Sequence, residues 1–299
     1  MPDGDRPVAP DGLVVVDKPA GWTSHDVVAK VRRLASTRKV GHAGTLDPMA
    51  TGVLICGVGR ATRLLGHLAG HDKSYEATVR LGLSTVTDDA EGEVTGGAST
   101  DAVDEVTLRE TAASFVGVIE QVPSAVSAVK VDGKRSYARV RAGEDVQLQP
   151  RTVTITELLV GNTRRPTPDV LDVDIRVTCS SGTYIRAIAR DLGVRLGVGG
   201  HVTSLRRTRI GAYDVLAART VEQLEKVFDV IPLADAVRST FPVRVASDDE
   251  ATAVQHGRPI DVRGESGLVG VFDTDGRVLA LMEPRGDVLR VVAGFVGTP

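Results

Sequence analysis

The densest run of chemically useful residues is GHAGTLDPMATGVL, residues 41–54. Its glycines at 41, 44 and 52 reach backbone conformations that other residues resist. Pro48 fixes its own φ and pushes Asp47 toward an extended conformation. The product is a stiff loop presenting one carboxylate, joined to an apolar run that anchors it. A carboxylate displayed in this way suits covalent or electrostatic catalysis. The same Asp-Pro pair also serves as a turn or helix start, in which the carboxylate caps backbone N–H groups. A second run, SSGTYIR at 180–186, puts Arg186 in the first turn of a helix. There the positive end of the macrodipole disfavours a cation by about 0.3–1 kcal/mol. A cation so placed calls for a partner, and a buried carboxylate is the obvious one. A surface arginine that tolerates the small cost is the plain alternative.

The elements that must position these groups follow from hydrophobic periodicity. LVVVDK at 13–18 is an apolar run entered through Gly12, the pattern of a buried strand. Thr23 and Asp26 make a capping box ahead of Val27, Val28, Val31 and Leu34, which share one helical face. Residues 39–52 read as a glycine-punctuated loop, and VLICGV after it as a second buried strand. Strict alternation over 75–81 and again over 170–179 predicts two strands. The second leads into a helix with Ile185, Ile188, Ala189, Leu192 and Leu196 along one stripe. Residues 84–110 hold eight acids against Arg109 alone and read as a surface excursion. Residues 130–151 read as a basic insertion. Past residue 236 the texture changes. A short helix at 248–256 stops at Gly257, and β-like runs follow at 268–272, 277–282 and 288–293, with Asp275-Gly276 as a hairpin signal.

A length of 299 residues suggests one large domain and a small one. Hydrophobic content of 42% and charged content of 25% describe an ordinary globular protein. No apolar run approaches the roughly 20 residues needed to cross a bilayer. The N-terminal stretch carries acids without an apolar core, which makes the cytoplasm the default location. Cys56 and Cys179 each end an apolar run and read as buried thiols rather than a disulfide or a zinc site. The net charge of −3 conceals a basic tract, since residues 182–211 hold six arginines against one aspartate. A polyanion meets that local potential rather than the chain total. GVGRAT at 57–62 lacks the third glycine of a dinucleotide fingerprint. His67 and His71 have the spacing of a helical metal pair but lack the glutamate of that motif, and read as surface histidines. VDGKR at 131–135 reads as a basic hairpin tip.

VDKPAGWTS (16–24), GHAGTLDPMATGVL (41–54), KSYEA (73–77), CSSGTYIRAIARDLG (179–193) and LRRTRIG (205–211) together resemble the bacterial TruB-type tRNA pseudouridine-55 synthases. The resemblance runs from about residue 12 to 235. Beyond 240 the likeness is to a PUA-like RNA-binding domain in outline. It implies a mixed α/β (α+β) pseudouridine synthase catalytic fold over 10–238, with a central mixed sheet, flanking helices and the basic insertion 130–151. A small β-rich PUA-like domain would occupy 240–299. On the same resemblance Asp47 is the catalytic aspartate and Arg186 its salt-bridge partner. Tyr75 stacks on the target base near its C5 proton, and Tyr184 and Leu205 line the pocket. His42 would fill the space left by the everted uridine. Lys18, grouped with the substrate-binding residues, and Pro19 would support the catalytic loop.

The implied partner is tRNA, held by its T-arm and T-loop and at its acceptor end, with no membrane and no obligatory protein partner. Lys130, Arg135, Arg206 and Arg207 are the expected backbone contacts. Pseudouridine formation breaks the N1–C1′ bond, turns the uracil and rejoins it through C5, with no net redox change and no added group. No cofactor and no metal are therefore implied. The carboxylate can add to C6, add to C1′, or assist elimination toward a glycal, and all three routes stay open. Everting the base costs a few kcal/mol of stacking that the pocket must offset. The rival readings are an RNA-binding or RNA-folding protein on the same scaffold without catalysis, and a tRNA hydrolase or nuclease.

Overall fold

The computed structural model describes residues 7–124 and 148–296, together with the backbone of 130–131 and 134–135. The chain opens with β1 (Gly12–Lys18), α1 (Ser24–Leu34), β2 (Val40–Ala43) and β3 (Thr51–Val58). A 3₁₀ turn (Gly59–Leu64) and α2 (Leu65–Ala69) lead to β4 (Lys73–Leu81). The acidic region carries β5 (Ser84–Thr85), β6 (Val94–Gly96) and α3 (Glu105–Ala113). Then come β7 (Gly117–Gln121), β8 (Lys130–Val131), β9 (Lys134–Arg135), β10 (Arg151–Thr167), β11 (Val170–Cys179), α4 (Ile185–Arg195) and β12 (Gly200–Ile210). Short strands β13 (Tyr213–Asp214), β14 (Arg219–Thr220) and β15 (Ile231–Pro232) edge the sheet, with α5 (Val221–Lys226) and α6 (Leu233–Thr240) between and after them. The last part holds β16 (Val243–Val245), α7 (Asp248–Gln255), β17 (Ile260–Asp261), β18 (Val269–Phe272), β19 (Val278–Arg285) and β20 (Val288–Gly294).

The main sheet has 11 strands, in the order β14-β1-β3-β12-β4-β11-β10-β7, with β2, β13 and β15 paired off that path. It is mixed: β12 runs parallel to β3 and β14 parallel to β1, while β4, β11, β10 and β7 are antiparallel neighbours. Burial explains the sequence texture. Leu13 and Val15 enter one core and Val14 and Val16 another, so β1 is covered on both faces and reads as a continuous apolar run. In β4, by contrast, Tyr75, Ala77, Val79 and Leu81 face a core, and Glu76, Thr78 and Arg80 face the open side. Arg80 pairs there with Asp172 of β11 through two hydrogen bonds of 2.7 and 2.8 Å. The capping box forms on α1, whose Val27, Val28, Val31 and Leu34 are buried.

The stretch 39–52 is not all loop. Residues 40–43 form β2, because Val40 and Ala43 are buried while the segment hydrogen-bonds along β3. The loop proper starts at Gly44, whose φ of 81° lies in the left-handed region.

The five-stranded sheet β16-β18-β19-β20-β17 is built wholly from residues after 240. Gly276 turns the β18–β19 hairpin and Gly257 ends α7, both at positive φ. This sheet does not stand apart: Phe241, Phe272 and Phe295 share one core with Leu13, Leu64 and Tyr213. Burying a large apolar side chain contributes about 1.5–3 kcal/mol, so the two parts hold one another. The GVGRAT run and Arg63 just after it supply the polar tether. Arg60 Nη1 donates to Phe295 O at 2.5 Å, and Arg63 donates to Gly294 O. His67 and His71 flank the Phe241 ring from two sides.

Candidate active site

Leu46 and Ala50 sink into the core on either side of Asp47, which leaves only the carboxylate-bearing turn at the surface. Four neighbours grip this loop by its backbone. Ser24, buried in the first turn of α1, accepts from Leu46 N–H at 2.9 Å and donates to Leu46 O at 3.2 Å. Gly21 N–H donates to Pro48 O at 2.9 Å. Lys18 Nζ donates to Pro48 O (3.1 Å), Pro19 O (2.9 Å) and Trp22 O (2.6 Å). From below, Arg207 donates to Gly44 O (3.0 Å), Thr45 O (3.4 Å) and Val53 O (2.8 Å). Burial lowers the Lys18 ammonium to about 8.

The Asp47 carboxylate is about a third exposed, and its Oδ2 receives Arg186 Nε at 3.0 Å. Among the described residues it accepts no backbone N–H, so it is not capping a turn. Arg186 lies in the first turn of α4, where the macrodipole opposes it, and is 4% exposed. A second carboxylate offsets that cost: Arg186 Nη1 reaches Asp89 Oδ2 at 3.1 Å and Thr87 O at 2.8 Å. Asp89 is itself fixed by Thr87 Oγ1 at 2.5 Å and Glu91 N–H at 3.1 Å. One helical turn on, Arg190 pairs with Asp88 at 3.2 Å. Asp88 takes a left-handed φ of 59°, and burial raises its carboxyl above the usual range.

The acidic stretch is therefore not wholly a surface excursion. Asp88 and Asp89 turn inward to meet two arginines spaced i, i+4 on one helix, a long-range match that a local charge count does not register.

The carboxylate opens onto a cleft of about 450 Å³. Tyr75, Tyr184, Arg186, Leu205 and Lys73 line it. Register explains the convergence, since Tyr75 lies opposite Arg207 and Ala77 opposite Leu205 across β4 and β12. Tyr75 is 8% exposed, and burial pushes its hydroxyl up against the pull of nearby Arg207. Lys73 Nζ donates to Ala69 O and His71 O, both at 2.8 Å, and burial lowers it to about 8.

The remaining expected residues lie elsewhere or do other work. His42 sits on β2 with its ring 5.8 Å from that of His25, beside the cleft rather than in its wall. Arg206 is held by Asp17 at 2.7 and 3.0 Å, with its side chain on the opposite face of β12 from the cleft. Arg207, expected as an RNA contact, is 1% exposed with its guanidinium on loop carbonyls, so it cannot serve a phosphate on the surface. Alternation along β12 is the physical reason: adjacent residues face opposite sides of a strand, so Arg206 meets Asp17 on one face and Arg207 lies under the Asp47 loop on the other. Lys130 and Arg135 are backbone partners in β8 and β9; their side chains lie outside the described residues.

Sequence reading missed Asp89, Lys73, Ser24 and Gln121. Gln121 is 2% exposed; its Oε1 accepts from Tyr184 N–H at 2.8 Å and its Nε2 donates to Tyr184 O at 3.1 Å. That amide steadies the start of α4, which has no side-chain cap of its own. The Lys73 signal was present inside KSYEA, whereas Gln121 carries no local mark.

Family models match almost the whole chain. "TruB family pseudouridylate synthase (N terminal domain)" covers 32–185, "tRNA pseudouridylate synthase B C-terminal domain" 186–236, and "tRNA Pseudouridine synthase II, C terminal" 241–296. The chain is 60% identical over 291 residues to the tRNA pseudouridine synthase B of Thermobifida fusca (strain YX), across 96% of this chain and 99% of that one. It is 53% identical over 294 residues to the enzyme of that name from Arthrobacter sp. (strain FB24), across 95% and 96%. Among solved structures, a Cbf5–Nop10–Gar1 complex matches with a TM-score of 0.75 at 26% identity, over 100% of this chain and 90% of that one. An H/ACA RNP bound to a substrate RNA containing 2′-deoxyuridine matches at 0.73 and 25% identity, with the same coverage. Agreement in sequence and fold leads to one conclusion: the chain belongs to the TruB family of pseudouridylate synthases.

Proposed function

We propose that this chain isomerises a uridine of tRNA to pseudouridine, and that the target is the T-loop uridine at position 55. The observation that carries the reading is the Asp47 carboxylate, held by buried Arg186 at the wall of a cleft and making no capping bond. A charge-assisted bond from Nε fixes the direction of the carboxylate, and its exposed part meets the ribose or the base of an everted nucleotide. Tyr75 offers a flat face for the ring, and Leu205 and Tyr184 close the sides. His42, at the cleft margin, occupies the gap left in the T-loop. Residues 10–238 form the catalytic unit. The basic insertion 130–151 grips the T-arm backbone, T-loop shape sets specificity, and residues 240–299 reach the acceptor end. A tRNA substrate places the enzyme in the cytoplasm, and among the described residues no helix is long and apolar enough to cross a membrane.

The test is incubation with an unmodified tRNA transcript, followed by mapping of pseudouridine. The expected result is one pseudouridine, at position 55, on intact RNA and undiminished in EDTA. Tight tRNA binding with no pseudouridine anywhere makes the chain an RNA-binding protein on this scaffold, and strand scission makes it a nuclease.

A further inference from the structure

Lys18, Lys73 and Arg207 are 0%, 6% and 1% exposed, and they donate to neutral oxygens, backbone carbonyls throughout and, for Arg207, the Tyr75 hydroxyl as well. Among the described residues none of the three forms an ion pair. Other buried cations of the chain are paired: Arg186 meets Asp47 and Asp89, and Arg244 meets Glu250 and Glu265. A buried cation with only neutral acceptors pays a desolvation penalty of several kcal/mol per ion. Neutral donors would make the same carbonyl bonds without that penalty, so the charge itself has a use. Lys73 and Arg207 both line the cleft, and Lys18 lies under the Asp47 loop.

The reaction needs positive charge there by every route. Addition to C6 drives an electron pair onto C5 and O4 of uracil, and rupture of N1–C1′ leaves its pair on the ring. That pair then makes the C5–C1′ bond, any bond from Asp47 to C6 or C1′ breaks with its pair returning to the carboxylate, and C5 loses a proton while N1 gains one, so the net change is nil. Asp47 is an anion suited to the electron-poor partner and cannot stabilise the ring. Arg186 already serves two carboxylates.

We propose that Lys73 and Arg207 form a cationic wall that stabilises negative charge on the uracil ring while its bond to ribose is broken. This rests on the pseudouridine reading and adds to it two buried cations, packed against the loop that carries Asp47, that line the same cleft. Fixed charge in a site shielded from water needs no reorganisation as the ring becomes anionic, and loss of one such group costs about 10²–10³-fold in rate.

The experiment compares wild type, Lys73→Gln and Lys73→Arg in single turnover, on RNA carrying either uridine or 5-fluorouridine at the target. Glutamine keeps N–H donors for the Ala69 and His71 carbonyls and removes the charge; arginine keeps the charge. Fluorine at C5 stabilises an anionic ring by itself but cannot leave as the proton does, so the readout is loss of the N1-linked nucleoside. The expected result for Lys73→Gln is about a 10²-fold loss on uridine and about tenfold or less on 5-fluorouridine, with RNA affinity within about threefold. Lys73→Arg recovers most of the uridine rate. A Lys73→Gln rate within about threefold of wild type, or equal losses on both substrates, overturns the proposal. Should Lys73→Gln not fold, Arg207→Gln carries the same two-substrate comparison with the same outcomes. A wild-type chain that makes no pseudouridine refutes the underlying function instead, before any variant is read.

Discussion

Arg244 in the five-stranded sheet and Arg207 in the main one are 7% and 1% exposed, yet their surroundings are opposite. Arg244 meets Glu250 and Glu265 and donates to Asp261 O at 2.7 Å, a closed network that ties α7 to the loop after β17. Arg207 has three carbonyls and no carboxylate, and it lies beneath the loop that carries Asp47. A paired buried charge leaves little field outside itself. One facing only neutral groups projects its field into the nearest cleft, which here contains the Asp47 carboxylate. Arg244 is thus paired where it holds shape, while Arg207 is left without a carboxylate beside the cleft.

The largest break in this comparison is expected on the structural side. Arg244→Met removes the buried partner of Glu250 and Glu265, leaves Glu250 only the exposed Arg263, and should destabilise the fold by about 3–5 kcal/mol in denaturant melts. The folded enzyme at low temperature should keep its rate. Arg186→Lys should do the reverse: the charge stays but the fork that joins Asp47 to Asp89 is lost. We expect turnover to fall about 10²-fold, roughly 2.7 kcal/mol, with tRNA affinity within about threefold. Near-normal turnover would make that pairing incidental. Gly44→Ala should act more mildly. Its added Cβ finds ordinary contacts at 3.6 Å with Arg207 and Lys73, but φ of 81° costs about 1–2 kcal/mol for a non-glycine residue. A parallel fall in rate would tie the loop's conformation to catalysis.

The smallest effect is a matter of pH. Lys18 and Lys73 drop from 10.5 to about 8 because they are buried, so the native state releases these protons before the unfolded chain does. Above about pH 8 the unfolded chain therefore holds more protons, and these groups make stability rise with pH. The buried thiols act oppositely, since Cys56 and Cys179 are pushed up to about 12 and about 11 from 9.0, but their loss begins only as pH passes 9. Between pH 7 and 9 turnover should fall as the lysines lose charge, while the unfolding midpoint holds or rises. A midpoint that falls along with the rate would assign the alkaline limb to unfolding.

Much of this was legible in the sequence because it is local. The capping box at Thr23 and Asp26, the alternation of β4 and β11, and the Asp275-Gly276 turn each lie within one element. The Asp47 loop showed through its glycines and Pro48, and Arg186 through a cation at the wrong end of a helix. What stayed hidden depends on distant pairing. Asp89 looked like one acid among eight until the fold brought it to Arg186, 97 residues away. Arg206 and Arg207 looked alike as neighbouring cations until strand alternation sent one to Asp17 and the other under the loop. The change of texture near 236 showed, but the core shared by Phe241, Phe295 and Leu13 did not. Deleting residues 240–299 would strip that core as well as any RNA contact.

The central claim is tested most directly by Asp47→Asn, assayed beside wild type for pseudouridine at position 55 and for tRNA affinity. No detectable pseudouridine is expected from the variant, with affinity within about tenfold of wild type, roughly 1.4 kcal/mol. Pseudouridine formed by Asp47→Asn at a rate near that of wild type would contradict it.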